Sequence, residues 1–314
     1  MSLPFSIWLV IFPVSLFFLI QASDYFTDSA EAVGKVLRLP SFIIGVTIVS
    51  IGTSLPELVS SLFAVMQGSS EIVIGNVVGS NIANIFLIVG VAAVTSEHLK
   101  IKYNLTNVDL PLFVGSAFFL GLTVIDRYFS LGESLLCIVG FAVYLFYTVT
   151  TSKNINEEEE EEDDPPSLPV SIAILVVSCI VLSVAANYTV ESVIHLSKIF
   201  DVGTEVIAVS ALAIGTSLPE LMVTINFVKK GNAEIAVGNV LGSNIFNSLV
   251  VMGIPALVGE LIVPMEILTE GLPLMIIGTI LLFFVTQDRQ VTRWEGLLFF
   301  LFYGWFIGRI FNVL

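Results

Sequence analysis

The hexapeptide Gly-Thr-Ser-Leu-Pro-Glu occurs twice in this chain, at residues 52–57 and 215–220, an offset of 163. The duplication extends beyond it. Residues 71–84 align with 234–247 at the same offset, and ten of those 14 positions are identical. Asp24-Tyr25 meets Asn187-Tyr188 in the same way. Such a chain is expected to fold as two copies of one unit, residues 1–151 and 168–314, joined by the segment 152–167.

Both copies lie in apolar sequence. The chain is 56% hydrophobic and only 12% charged, against about 25% charged residues in soluble domains, so it reads as a polytopic membrane protein. Apolar runs of about 17–25 residues mark spanning helices. Ten can be counted: 4–22 continuing towards 37, then 41–66, 72–94, 110–125, 131–150, 168–199, 206–228, 235–258, 268–285 and 294–311. Five spans per copy is an odd number, so the second copy must enter the membrane from the opposite side. The expected fold class is all-α, with ten transmembrane helices in two inverted five-helix repeats. The run 4–22 has no basic segment before it and the repeat needs it as a span, so it is read as retained rather than as a signal peptide.

Lysine and arginine set the orientation. Nine of them (Lys35, Arg38, Lys100, Lys102, Lys153, Lys229, Lys230, Arg289 and Arg293) fall in loops after odd-numbered spans. Arg127, Lys198 and Arg309 fall on the other side. Both termini are therefore expected outside and the 152–167 linker in the cytoplasm. Residues 157–164 of that linker are all acidic and supply eight of the 27 acids behind the net charge of −15. A block of like charges is solvated rather than packed. With no basic patch to neutralise phosphates, nucleic acid is excluded as a partner. Cys137 and Cys179 sit in separate apolar runs without metal-ligand spacing and read as packing residues.

The chemistry lies in what the hexapeptides place inside the bilayer. An ionised carboxylate near the bilayer centre costs about 2.5–3.5 kcal/mol on insertion scales, so Glu57 and Glu220 must face a partner, a cavity or an ion. No lysine or arginine lies inside a central span to pair with them. Pro56 and Pro219 each delete a backbone donor and free carbonyl oxygens one turn upstream. Thr53 and Ser54, repeated as Thr216 and Ser217, add hydroxyls, with Thr53 and Glu57 expected on one helix face. The next span of each copy adds a polar stripe, Asn76, Ser80 and Asn84 in the first and Asn239, Ser243 and Asn247 in the second. Together these form an all-oxygen nest suited to a hard cation. For Asn76 and Asn81 helix packing is an equal reading, because small and polar residues also join helices in membranes.

Two other classes fit less well. A serine hydrolase built on Ser54 or Ser217 needs a nearby base, and the only histidines are His98, in a loop, and His195, far along the sixth span. An ion channel could use the same ligands, but inverted repeats and a closed two-carboxylate site favour a carrier. No enzyme activity and no cofactor are expected.

The paired Gly-Thr-Ser-Leu-Pro-Glu and Gly-Asn-Val-x-Gly-Ser-Asn-Ile-x-Asn blocks resemble the alpha repeats of the sodium/calcium exchangers, in the cation/calcium antiporter superfamily. The compact prokaryotic members are the most similar. The resemblance implies exchange of Na+ for Ca2+ by alternating access, with the long first and sixth helices sliding over a core of the second, third, seventh and eighth. It implies a calcium site of the Glu57 and Glu220 carboxylates with the carbonyls of Thr53 and Thr216. One sodium site would use the Ser50 carbonyl, Thr53, Ser54, Glu57 and Ser80. Its counterpart would use the Ala213 carbonyl, Thr216, Ser217, Glu220 and Ser243. Asn84 and Asn247 would line the centre, where many relatives carry an aspartate at one or both positions. An electrogenic exchange of three Na+ for one Ca2+ is expected, with the lipid bilayer as surroundings and no obligatory protein partner. The alternative is a proton/calcium exchanger, or a potassium-dependent one, using the same glutamates. Proton-coupled relatives usually carry a further glutamate where this chain has Val77-Val78-Gly79-Ser80, which favours sodium.

Overall fold

The computed structural model describes residues 5–96, 98–103, 109–152, 167–197 and 217–310. The helix α1, Phe5–Val36, is followed by a composite second span. This span runs through α2 (Ser41–Ile44), a π-helical turn (Gly45–Val49), α3 (Ser50–Thr53) and α4 (Leu55–Met66). Next come α5 (Glu71–Ile82), a second π turn (Ala83–Ile88) and α6 (Val89–Ser96), then α7 (Asp109–Thr123) and α8 (Leu131–Ser152). The second half contains α9 (Leu168–Ser197), α10 (Leu218–Lys229), α11 (Ala233–Phe246), a π turn (Asn247–Val251) and α12 (Met252–Ala256). It ends with a π turn (Ile267–Gly271), α13 (Leu272–Val285) and α14 (Arg293–Ile310).

Seven helical segments among the described residues are long and apolar enough to cross a membrane: Ile7–Val36, Ser41–Met66, Glu71–Ser96, Leu131–Thr150, Leu168–Ser192, Ala233–Ala256 and Ile267–Asp288. The remaining three expected spans differ from these for separate reasons. The fourth, α7, is apolar but only 15 residues long. The seventh is described only as the 12 residues of α10. The tenth, α14, carries Arg293, Glu295 and Arg309 in 18 residues.

Local features recur at the offset of the sequence repeat. Ser54 and Ser217 have nearly the same dihedrals, φ −91° with ψ 3° and φ −88° with ψ 4°. After α4 and α10 the chain reverses through Gly68 (φ 78°) and Gly231 (φ 81°). The amides of Ser69 and Asn232 close the turns onto Ala64 and Phe227, the αL cap that favours glycine. Four short strands continue the pattern. These are β1 (His98–Lys100), β2 (Tyr128–Phe129), β3 (Leu261–Ile262) and β4 (Gln290–Thr292). Displaced by 163 residues, β1 falls on β3 and β2 on β4, yet β1 pairs antiparallel with β4, and β2 with β3. Each half thus closes its loops on the other half.

At about 1.5 Å per residue, the 32 residues of α1 and 30 of α9 reach about 45–48 Å, longer than a ~30 Å hydrocarbon core, so they are long enough to cross one tilted. They pack along each other. Trp8 stacks on His195 with ring centroids 4.2 Å apart, and Thr189 Oγ1 lies 3.0 Å from Ser15 Oγ, so the pair runs antiparallel. Only 28% and 22% of their most apolar windows are buried. By contrast, residues 235–253, through α11 and its π turn, are all buried. Its backbone touches the second span: a Cβ on Gly45 would sit 2.4 Å from the Ile235 oxygen, and one on Gly238 2.6 Å from the Phe42 oxygen. That close approach brings α11 against α3 and the first hexapeptide.

A polar stripe ties α1 to α10. Asp24, Thr27, Asp28 and Glu31 recur at helical spacing on one face. Asn226 donates to Asp24 Oδ1 (2.6 Å) and lies 3.1 Å from Thr27 Oγ1. Lys230 pairs with Asp28, and Asn232 donates to Glu31 at 3.1 Å.

Candidate cation site

The two hexapeptides start their helices in the same way, with a serine in non-helical geometry followed by Leu-Pro-Glu in the first turn. In the first, α3 ends at Thr53, Ser54 leaves helical geometry and α4 restarts at Leu55 with Pro56 in its first turn. Proline is tolerated there because a first-turn amide has no intrahelical acceptor. Thr53 and Glu57, expected on one helix face, flank this one-residue interruption, through which the backbone bonds Ser54 N–H to the Ser50 oxygen and Leu58 N–H to the Ser54 oxygen continue. Glu57 and Glu220 therefore sit in the first turns of α4 and α10, where the helix dipole favours a carboxylate. Pro56 cannot donate to the Gly52 carbonyl, and the Cys179 thiol of α9 meets that oxygen instead, at 3.1 Å. In the sequence Cys179 is an apolar-run residue without motif spacing, which carries no signal for this contact.

The hexapeptides meet across the repeat. Ser54 Oγ donates to Glu220 Oε1 at 3.2 Å. Thr53 Oγ1 donates to Asn239 Oδ1 at 3.2 Å, while Asn239 Nδ2 donates to Thr224 Oγ1 at 3.0 Å. Asn76, the repeat equivalent of Asn239, turns to Ser61 Oγ (3.1 Å) and the Glu57 carbonyl (3.4 Å). Both therefore brace consecutive helices, which is the packing reading. Ser50 Oγ returns to the Val46 carbonyl at 2.7 Å, and its own carbonyl accepts the Ser54 amide at 3.1 Å. Ser80 is buried on α5. Ala213 and Thr216 lie outside the described residues.

What remains is a set of buried polar atoms without hydrogen-bond partners. At the hexapeptides and the polar stripes they include both carboxylate oxygens of Glu57, Oε2 of Glu220, the hydroxyls of Ser217 and Ser243, Oδ1 of Asn244 and of Asn247 and both ends of the Asn84 amide. Glu57 and Glu220 are each 1% exposed, and Asn84, Asn247 and Ser243 are fully buried. The two carboxylates also act on each other electrostatically. The ion pairs among the described residues involve other acids, Glu31, Asp28 and Glu270. Among the described residues no three His, Cys, Asp or Glu side chains are grouped so that they alone could hold a metal ion. The donor set is thus two carboxylates with neutral oxygens around them. An unpaired buried charge costs several kcal/mol, and cations bound by this set would remove that cost. Hard cations such as Ca2+ accept such ligands.

Comparison with known proteins agrees with this chemistry. The sequence profile of the sodium/calcium exchanger protein family matches residues 7–150 and 170–311. The sodium/calcium exchanger MaX1 of Methanosarcina acetivorans is 36% identical, covering 96% of this chain and 97% of its own length. The inner membrane protein YrbG of Escherichia coli is 32% identical over 78% of each chain. Among solved structures, the sodium-calcium exchanger NCX_Mj soaked with Na+ and Sr2+ superposes with a TM-score of 0.82 at 29% identity, covering 96% of this chain and 97% of the other. A membrane protein with this duplicated core belongs to the sodium/calcium exchanger family.

Proposed function

We propose that this protein is a secondary-active antiporter that exchanges Na+ for Ca2+ across the cell membrane by alternating access. The observation that carries the reading is the set of buried, unpartnered polar atoms that both copies of the repeat contribute, Glu57 and Glu220 among them, with Ser54 of one copy bonded to Glu220 of the other. The name of the MaX1 relative, and the ions in which NCX_Mj was soaked, support the choice of substrates.

Calcium prefers six to eight oxygens in a flexible cage. In this reading the carboxylates of Glu57 and Glu220 bind it with the carbonyls of Thr53 and Thr216, and their two negative charges balance it. Sodium ions occupy the Ser50 carbonyl, Thr53, Ser54, Glu57 and Ser80 on one side. On the other they occupy the Ala213 carbonyl, Thr216, Ser217, Glu220 and Ser243, with Asn84 and Asn247 between. Both ions use the same carboxylates, so they compete. An empty dianionic site is too costly to carry across the bilayer, so each half-cycle requires an ion. Three Na+ exchange for one Ca2+.

The architecture in this reading is ten spans in two inverted five-helix repeats, 1–151 and 168–314. The antiparallel α1–α9 pair and the exchanged strand pairs, β1 with β4 and β2 with β3, support it. The termini lie outside and the 152–167 linker lies in the cytoplasm.

Calcium-45 uptake into proteoliposomes tests the function. Uptake against a calcium gradient is expected when a sodium gradient is imposed, and none when a proton gradient replaces it. Proton-driven uptake without sodium would overturn the assignment.

A further inference from the structure

Asn81 and Asn244 are repeat equivalents, yet they make different bonds. Asn81 Nδ2 donates to Ser248 Oγ at 3.0 Å and faces the Asn244 carbonyl at 3.4 Å. A backbone carbonyl only accepts, so this contact fixes which end of the Asn81 amide is the NH2. Its Oδ1 must then face the other way, where it accepts Asn247 Nδ2 at 3.2 Å. Asn247 is thereby fixed in turn. Its NH2 is held by Asn81, and its Oδ1 is left buried and without a hydrogen-bond partner, as are both Glu57 oxygens and Glu220 Oε2.

The other half lacks this relay, for a reason written in the sequence. The residue that corresponds to Ser248 is Ile85, which cannot accept a hydrogen bond. Asn244 instead donates back along its own helix, to the Val240 carbonyl at 2.7 Å. Asn84, the equivalent of Asn247, has neither end of its amide hydrogen-bonded. The two central asparagines are therefore not interchangeable. One presents a fixed oxygen, and the other is an untethered amide.

We propose that Asn81 is a positioning residue for transport, which aims the Asn247 carbonyl oxygen at the transported cation, and that Asn244 has no such role. A neutral oxygen held in place contributes a ligand without charge, so its loss weakens sodium binding while leaving the carboxylate pair intact. The inference rests on the exchange reading given above.

The test measures sodium dependence of calcium-45 uptake in proteoliposomes. Asn81→Ala is expected to raise the sodium concentration for half-maximal rate about fivefold, the scale of one lost hydrogen-bond-sized contribution, with the maximal rate kept. Asn244→Ala is expected to leave it unchanged. Asn81→Ser keeps a donor on a side chain too short to reach Asn247; it is expected to give the same shift, and it carries the test if the alanine variant does not fold. The double-mutant cycle separates positioning from simple packing. In an Asn247→Ala background, Asn81→Ala should add nothing to the sodium shift. An unchanged half-maximal concentration in both Asn81 variants, or additive shifts in the cycle, would overturn the proposal. Absence of sodium-driven uptake by the unmodified protein would overturn the exchange reading itself, a result distinguishable before any variant is made.

Discussion

Ser54 of the first hexapeptide donates its hydroxyl proton to Glu220 of the second, across 3.2 Å. The two copies of the repeat are thus joined at the residues they share, not merely through the helices around them. A carboxylate oxygen that holds a hydroxyl can exchange it for a cation, so the proposed exchange predicts that this contact rearranges when Glu220 binds an ion.

Removing that donor should be felt most when no ion is present. Ser54→Ala is expected to lower stability by about 1.5–3 kcal/mol, the range for hydrogen bonds to charged groups. The loss should shrink in saturating calcium, which replaces the donor. Thermal melting in detergent, with chelator and then with calcium, checks both parts.

Neutralising either glutamate should separate stability from function. Glu57→Gln and Glu220→Gln are each expected to abolish exchange, because one charge no longer balances calcium. Each should also raise the melting temperature of the ion-free protein, since an unpaired buried charge is removed. The gain is expected to be larger for Glu57, whose two oxygens lack partners, than for Glu220, which keeps Ser54. A fall in melting temperature for both variants would assign the glutamates a structural role.

A three-for-one cycle is expected to be sensitive to voltage. In that proposal calcium cancels the two carboxylates, whereas three sodium ions leave one positive charge. That charge is biased by about 2.3 kcal/mol per 100 mV if it crosses the whole field. Sodium-driven calcium uptake in liposomes clamped with potassium and valinomycin should vary with the potential. Voltage-independent uptake, with potassium shown not to be transported, would rule out three-for-one exchange.

Orientation is tested by accessibility. Single cysteines at Ser2 and at Asn156, in a background with Cys137 and Cys179 replaced by alanine, are expected to react with impermeant reagent from opposite sides of the membrane. Labelling of both from outside would overturn the inverted arrangement.

The pair Glu57 and Glu220 was legible because charge inside an apolar run has few physical explanations, and because its repetition would need the same accident twice. The break before Glu57 was less so. Proline announces a lost donor, but whether a helix stops or bends there depends on what meets the freed carbonyl, and here that is Cys179, 127 residues away. The relay through Asn81 escaped for a related reason. Identical residues in the two repeats suggest identical roles, while the difference between Ile85 and Ser248 acquires meaning only once Asn81 is seen against Ser248. The stripe on α1 is visible as a spacing of Asp24, Thr27, Asp28 and Glu31, but nothing local says that Asn226, Lys230 and Asn232 receive it. The π turns and the paired short strands depend on contacts between halves, and neither has a propensity signature strong enough to read along one segment.

The burial of residues 235–253 has a consequence for the surrounding membrane. The helix that supplies Asn239, Ser243 and Asn247 meets protein on every side, and lipid tails never reach it. The bilayer presses instead on α1 and α9, whose tilt follows hydrocarbon thickness. A thicker or stiffer membrane should thus change how fast the carrier turns over, while its preference among ions stays the same.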